Sequence, residues 1–502
     1  MASTVTNCTT ENGHAPYTEP YRPQFHFSPS TGWLNDPNGL VYYDGEYHLF
    51  YQHVPVEPAV QVPHWGHAVS TDLVHWQHLP IALYPDAIGA IWSGSAVVDW
   101  ENTSGFQTGD EKVLVAFFTH RDDANLQQQS IAYSNDRGRS WLKYDGNPMI
   151  PNPDIADFRD PKVFWHAPSS HWVMAVVAGK RVLFYTSPDL KTWTFASEFG
   201  ARQGSQRGVW ECPDLFELPV DGDPQNKKWV LIISVAHQES PEEPATQVFV
   251  GHFDGTTFTN DAPPEEIRWL DWGSDNYAGV TFSDIPSQDG RRILIGWMSH
   301  WWHARDTPTS PWCGAMTVPR ELTLRTDADG SPRLASSPVA ELRAIRRRHL
   351  AIDEQVVSES TSLTVAGDIR GGAFEAVLEF DLGSASEFGV SLTNRAGDQT
   401  IVGYDVENET LFVDRRASGE VDFHALFGAH TQEAPLPLDS ELELHILVDW
   451  SSIEVFANDG NAVITDLIYP RGEINTLGLY AKGGSVNLIK SDIWELASTW
   501  KV

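Results

Sequence analysis

Ser70-Thr71-Asp72-Leu73-Val74-His75-Trp76 decides the architecture of this chain, because the stretch returns. Ser134-Asn135-Asp136-Arg137-Gly138-Arg139-Ser140-Trp141 echoes it, and Ser187-Pro188-Asp189-Leu190-Lys191-Thr192-Trp193 echoes it again. Phe253-Asp254-Gly255-Thr256-Thr257-Phe258 is a weaker fourth copy. Each copy reads as a strand, a polar turn and an aromatic that opens the next strand. The spacing, about 50–65 residues, is that of β-propeller blades. Residues 25 to about 335 carry short strand patterns between turns throughout. Roughly 310 residues at that period make five blades; a β-sandwich without repetition is the competing reading. One hairpin is nearly explicit. Leu40–Tyr43 and Glu46–Tyr51 flank Asp44-Gly45, a pair suited to a two-residue primed turn because glycine takes positive φ without steric cost.

Beyond the repeats the pattern changes. Ser336 to Arg346 looks like a short helix, with Ser337 as its cap and Pro338 in its first turn. Ala373–Phe380 and Leu442–Asp449 then return to strand alternation, now with few glycine-aromatic repeats. The expected fold class is all-β: a five-bladed propeller over 22–337, a linker with a short helix over 338–352, and an antiparallel sandwich over 353–502.

A length of 502 residues already implies two or more domains. Lys+Arg of 34 against Asp+Glu of 68 leaves a net charge of -34, a field that repels nucleic acid and anionic membrane and favours a neutral or cationic substrate. Apolar runs such as Val173–Val177 and Val230–Ile233 are strand-sized, not membrane-sized. Met1 to Pro20 is polar and has no apolar signal core, which fits a cytoplasmic protein or a mature secreted form. Cys8, Cys212 and Cys313 make no disulfide framework, and no cysteine or histidine spacing suggests a metal. No cofactor is expected. His64, His67, His75 and His78 read as polar strand residues. Sequons stand at Asn7, Asn102 and Asn408. Aromatics are the outlier, with 20 Trp, 14 Tyr and 23 Phe. Most fill a β core, and a few are expected to stack on sugar rings.

Three carboxylates sit beside prolines: Asp36 in Trp33-Leu34-Asn35-Asp36-Pro37-Asn38-Gly39, Asp160 in Arg159-Asp160-Pro161, and Glu211 in Trp210-Glu211-Cys212-Pro213-Asp214-Leu215. Proline withholds a donor and pushes the residue before it toward an extended conformation, so such side chains are aimed by stiff backbone. Propeller blades converge on one axis, where residues distant in sequence meet. Glycoside cleavage needs one carboxylic acid to protonate the leaving oxygen and a second carboxylate across the bond.

These three motifs, in this order, resemble those of the family 32 glycoside hydrolases, the β-fructofuranosidases. The resemblance extends through Phe50-Tyr51-Gln52, Trp65-Gly66-His67-Ala68, Trp92-Ser93-Gly94-Ser95-Ala96 and Thr307–Trp312, and on to Leu447-Val448-Asp449 and Ile453-Glu454-Val455-Phe456. It covers nearly the whole chain after about residue 22. It implies that Asp36 is the nucleophile, Glu211 the general acid and then base, and Asp160 a binder of fructose hydroxyls that stabilises the transition state with Arg159 beside it. By the same resemblance Asn35, Gln52, Trp65, Trp92 and Ser93 line the fructose pocket, with Tyr277 and Trp297 as weaker candidates. The implied partner is a fructose-containing oligo- or polysaccharide, cleaved from its non-reducing end with retention. Fructosyl transfer, or fructan binding without catalysis, are the alternatives. The chain departs from the family pattern at Val54, Val56–Pro63, Asn276 and Cys313, which are expected to lie where leaving group or acceptor binds.

Overall fold

The computed structural model describes residues 16–56, 62–237, 244–358, 363–365 and 369–500. Asn7, Cys8 and most of Val56–Pro63 lie outside them. The repeated motif turns out to be a turn capped by its own aspartate. In the first copy Asp72 Oδ1 accepts from Val74 N and His75 N, and the Trp76 indole closes the turn on Leu73 O at 3.1 Å. Asp136 with Trp141 and Asp189 with Trp193 do the same. In the fourth copy Asp254 caps through Thr256 N and Thr257 N. Every copy joins the third and fourth strands of a four-stranded sheet.

Those sheets are the blades. The first contains Gly32–Tyr43, Glu46–Val54, His64–Ser70 and Gln77–Leu83, and the second Ala90–Asp99, Val113–Arg121, Gln127–Ser134 and Leu142–Lys143. The third runs Phe158–His166, His171–Ala178, Val182–Ser187 and Thr194–Phe199; the fourth Gly208–Val220, Asp223–His237, Thr246–Phe253 and Phe258–Asn260. Tyr277–Thr281, Arg292–Trp297, Arg320–Thr326 and Pro332–Pro338 make the fifth. Trp312–Cys313 closes the ring by pairing in parallel with Gly32 and Trp33. The Asp44-Gly45 hairpin forms as expected, both residues at positive φ (47° and 87°) and Tyr43 opposite Glu46. The apolar cores lie between neighbouring blades: Val41, Phe50 and Trp65 pack with Ile91, Ala96 and Leu114 between the first two, and Phe117 and Ile131 with Val163 and Met174 between the next two.

The predicted helix is shorter and differently started. A 3-10 turn covers Ala340–Ile345 behind Val339, with no side-chain cap. Ser337 belongs to the last propeller strand, opposite Glu321, and its hydroxyl is spent on Asp459 O. Arg346–Leu350 is already a strand of the following unit, paired with Ser485–Leu496. That unit has two antiparallel sheets, one of Arg346–Leu350, Gln355–Ser358, Ser485–Leu496, Phe374–Asp381, Glu441–Asp449, Ser452–Ala457 and Ala462–Leu467. The other holds Leu363–Val365, Thr476–Lys482, Glu387–Thr393, Gln399–Asp405, Thr410–Ala417 and Gln432–Pro435. Phe374, Leu378, Val390, Leu392, Val402 and Ile446 fill the space between them. Among the described residues no helix is long and apolar enough to cross a membrane.

Candidate active site

All five innermost strands are interrupted at the same height. Their pairing slips at Leu34/Pro37, Trp92/Gly94, opposite Arg159–Lys162, at Glu211/Asp214 and at Tyr277/Val280. These β-bulges re-aim side chains that would otherwise alternate across the blade. Prolines 37, 161 and 213 stand in three of them, where no ladder donor is needed. Asp160, Cys212 and Ala278 take left-handed φ of 63°, 46° and 54°, conformations costly for residues other than glycine. The bulges gather Asp36, Ser93, Asp160, Glu211 and Tyr277 at one end of the axis.

Asp36 is buried and, among the described residues, has no cationic partner. Its Oδ2 accepts from Ser93 Oγ at 2.6 Å and its Oδ1 from Asn35 Nδ2 at 2.9 Å, while Asn35 is itself held by the Trp33 indole at 2.7 Å. Burial first, and the charge of Glu211 second, raise the Asp36 carboxyl above the usual carboxylate range. Asp160 is also buried. Its backbone N–H donates to Thr119 Oγ1, and its Oδ2 accepts from Cys212 N at 3.0 Å with Arg159 Nε 3.8 Å away. Burial pushes this carboxyl up to about 7; Arg159 pulls it down, and Glu211 and Asp36 add to the rise. The Cys212 thiol lies 3.5 Å from Asp36 Oδ2 and 3.7 Å from Asp160 Oδ2. Burial and these carboxylates keep it a thiol.

Glu211 is clamped at both oxygens. Arg159 Nη2 donates to Oε1 at 2.8 Å, and the Tyr277 hydroxyl bonds Oε2. Burial, then Glu211, push the Tyr277 phenol far above its ordinary range, so it acts as the donor. Arg159 is oriented from behind by Asp157 at 2.7 Å and Gln127 at 3.2 Å, with Trp92 under its guanidinium. Register places Gln52 across from the Asn35–Asp36 bulge. It is buried, and its Nε2 has no hydrogen-bond partner among the described residues.

The structure brings Asp36, Asp160, Glu211, Asn35, Gln52, Trp92, Ser93, Arg159 and Tyr277 to one mouth. Trp65 is placed differently: its ring is fully buried beside Phe50 and Phe118, and its Nε1 donates to Trp92 O. It supports the site from behind and is no wall of it, because its strand is the third from the axis. Trp297 is likewise fully buried, enclosed by Trp33, Tyr277 and Trp301. Trp301 escaped the sequence reading. It keeps 36% of its surface exposed and stacks on Trp33 with ring centroids 6.3 Å apart. Nothing in Ser299-His300-Trp301-Trp302 marks one indole over the other. Asn276 and Cys313 are buried, bonded to Asp271 Oδ2 and Ala304 O, so they reach a substrate only through Tyr277 and the Trp301 loop. Of the histidines, His75 sits in the first repeat's turn on Asp72, and His67 is core, stacked on Phe50.

Carboxylates at the mouth of a propeller axis, ringed by indoles and amide donors, are the equipment of a glycoside hydrolase. The model of the glycosyl hydrolases family 32 N-terminal domain matches residues 26–338, and that of the family 32 C-terminal domain matches 341–495. The chain belongs to this family. It is 53% identical to a levanase of Bacillus subtilis over 96% of this chain and 72% of that one. It is 39% identical to an extracellular exo-inulinase of Aspergillus awamori over 96% of each. The crystal structure of exo-inulinase from Aspergillus awamori superposes with a TM-score of 0.87 at 37% identity, covering 97% of this chain and all of that one. A β-fructofuranosidase from Schwanniomyces occidentalis, complexed with fructosyl-erythritol, superposes at 0.83 and 29% identity over 96% and 99%.

Proposed function

We propose that this glycoside hydrolase is a retaining β-fructosidase that releases fructose from the non-reducing end of levan, inulin and sucrose. The observation that carries the roles is the unequal treatment of the carboxylates. Among the described residues Asp36 alone of the three has no cation, only the donors Ser93, Asn35 and the Cys212 thiol, and so is the group free to attack the anomeric carbon. Glu211 is held by Arg159 on one oxygen, which leaves Oε2, shared with Tyr277, as the atom that carries a proton to the leaving oxygen and later takes one from water. Asp160 lies against Cys212 N and Arg159. A fixed carboxylate there offsets the positive charge that builds on the fructosyl ring, and does so more strongly than one in water. Gln52 supplies an unspent donor for a fructose hydroxyl, and Trp92 and Trp301 supply faces for the sugar.

Residues 22–337 form the catalytic unit in this reading, and 353–502 buttress it. Timed product chromatography on sucrose, inulin and levan tests the function. Fructose alone from all three is expected. Kestose-type oligosaccharides growing from concentrated sucrose would move the assignment to fructosyl transfer, and no product from any would end it.

A further inference from the structure

The innermost strands run in parallel around the axis, so their opposite ends meet at the propeller's other face. There a second cavity of about 720 Å³ opens, bordered by Trp100, Trp165, Trp229, Lys162, Asp284 and Arg292 among others. Its volume is in the range of small-molecule sites, about 300–1,000 Å³. It is not the rear of the active site. Between the two, the axis narrows to a gap of about 10 Å³ walled by Pro37, Pro161, Pro213 and Lys162, room for about one water.

Three features define what this cavity holds. Trp100 and Trp165 keep 46% and 42% of their surfaces exposed, while the propeller's other indoles at this end are packed: Trp172 against Trp165 and Trp229 against Phe253. Two open indoles over one cavity are unusual for a surface that only needs to be soluble. The floor is polar, and its charged groups are engaged. Lys162 lies 3.1 Å from Asp214 Oδ1, Asp284 accepts from the Trp100 indole at 2.8 Å and from Val98 N, and Arg292 lies over the Phe216 ring. Glu101, Glu217 and Asp254 also border the cavity, Glu217 paired with Lys227 and Asp254 capping its own turn, so the lining carries more carboxylates than cations and is no anion site. The donors are not exhausted, since the buried Lys162 ammonium spends bonds on Asp214 and Thr281 O and has three to give. Aromatic walls over a hydrogen-bonding floor whose charges are already engaged suit a neutral polyhydroxyl ligand, and a chain of net charge -34 disfavours polyanions.

We propose that this cavity is a second carbohydrate site, which binds a fructosyl segment of the polymer without cleaving it and tethers the enzyme to its substrate. The inference rests on the fructan reading above. Its role is local concentration: a branch or neighbouring chain held at one face keeps other chain ends near the carboxylates at the other.

The test compares the wild-type protein with Trp100→Ala/Trp165→Ala, and with Trp165→Phe. Readouts are hydrolysis of sucrose and of levan, and retardation in native gels containing levan. In the double variant kcat/KM on sucrose is expected to hold, while kcat/KM on levan falls about three- to tenfold and gel retardation weakens. Trp165→Phe restores part of both. Equal loss on sucrose and levan would assign the indoles to the fold and overturn the proposal. So would a double variant that matches wild type on levan and in the gel. A wild-type protein that cleaves sucrose but neither cleaves nor binds levan would instead overturn the fructan reading, and this proposal with it.

Discussion

Asp160 is held in a place that suits its chemistry and costs the fold. It takes a left-handed φ, is buried, and its carboxyl is raised to about 7 from an ordinary 3.8. A raised carboxyl binds its proton more tightly in the folded state. Its contribution to stability is therefore full below pH 4 and lost as pH rises through about 7. Asp160→Asn keeps the shape, and asparagine accepts this φ. The variant is expected to lose activity yet to be more stable than wild type at pH 8, on the order of a few kcal/mol, with the gain vanishing near pH 4. Denaturant titrations at the two pH values check it, and equal stability at pH 8 would mean that the carboxylate is not strained. Activity runs the other way. Asp36 and Asp160 must be ionised, so the acid limb of the kcat/KM profile is expected above the usual carboxylate range. A kcat/KM profile already flat from pH 4 upward contradicts this. Glu211→Ala is expected to cost about 10²–10⁴-fold on substrates with poor leaving groups and far less on activated ones; uniform loss would remove Glu211 as the acid.

At the level of elements, what was legible depended on side chains that do local work. The capped turns were visible because an aspartate and an aromatic each have a hydrogen-bonding or packing task in the turn itself. The fifth blade, expected from length alone, shows no copy of that turn, since its outer turn at Asp327–Ser331 has no aromatic and its last strand leans on the sandwich through Ser336 N to Gly460 O. The same holds for the site. Proline flagged three of the five bulges, while those at Ser93 and Ala278 follow from pairing across the blade and leave no local mark. Trp301 is the clearest loss, because its loop is placed by distant contacts. His303 two residues on lies 2.9 Å from Asp275 and edge-on to Phe427 of the sandwich at 5.1 Å. Trp301→Ala is expected to lower kcat/KM on sucrose several-fold to tenfold, about 1–1.4 kcal/mol of ring contact. The melting temperature should stay within about 2 °C, the indole being partly exposed. A large fall in melting temperature with unchanged kinetics would make Trp301 a packing residue.

On the scale of the whole molecule, propeller and sandwich share apolar core, with Leu447, Phe456 and Val463 packed in one cluster with Phe25, Met316 and Val318, and buried ions are set into that joint. Asp449 accepts from the backbone N–H groups of Gln24 and Phe25 and from His26 Nδ1 at 2.8 Å. Glu454 faces the other nitrogen of His26 at 3.3 Å and Arg320 at 3.2 Å, and Arg320 also holds Asp271 at 2.8 Å. This gives physical content to the two C-terminal motifs, Leu447–Asp449 and Ile453–Phe456: each places one carboxylate in the joint. Burial works against a charged His26, yet Asp449 and Glu454 overcome it and raise the imidazole to about 9 from 6.5. A base raised in the folded state stabilises fully below pH 6.5, and that contribution is lost as pH rises through about 9. The shift corresponds to about 3 kcal/mol. His26→Gln removes the titration but keeps a donor. It is expected to lower stability at pH 6 by about that amount and to leave stability near wild type at pH 9.5. Parallel denaturation of the two proteins across this range decides the matter, because only a charged His26 makes their difference depend on pH. A constant gap would show that the imidazole is neutral in the joint, and that Arg320 alone balances the sandwich's carboxylates.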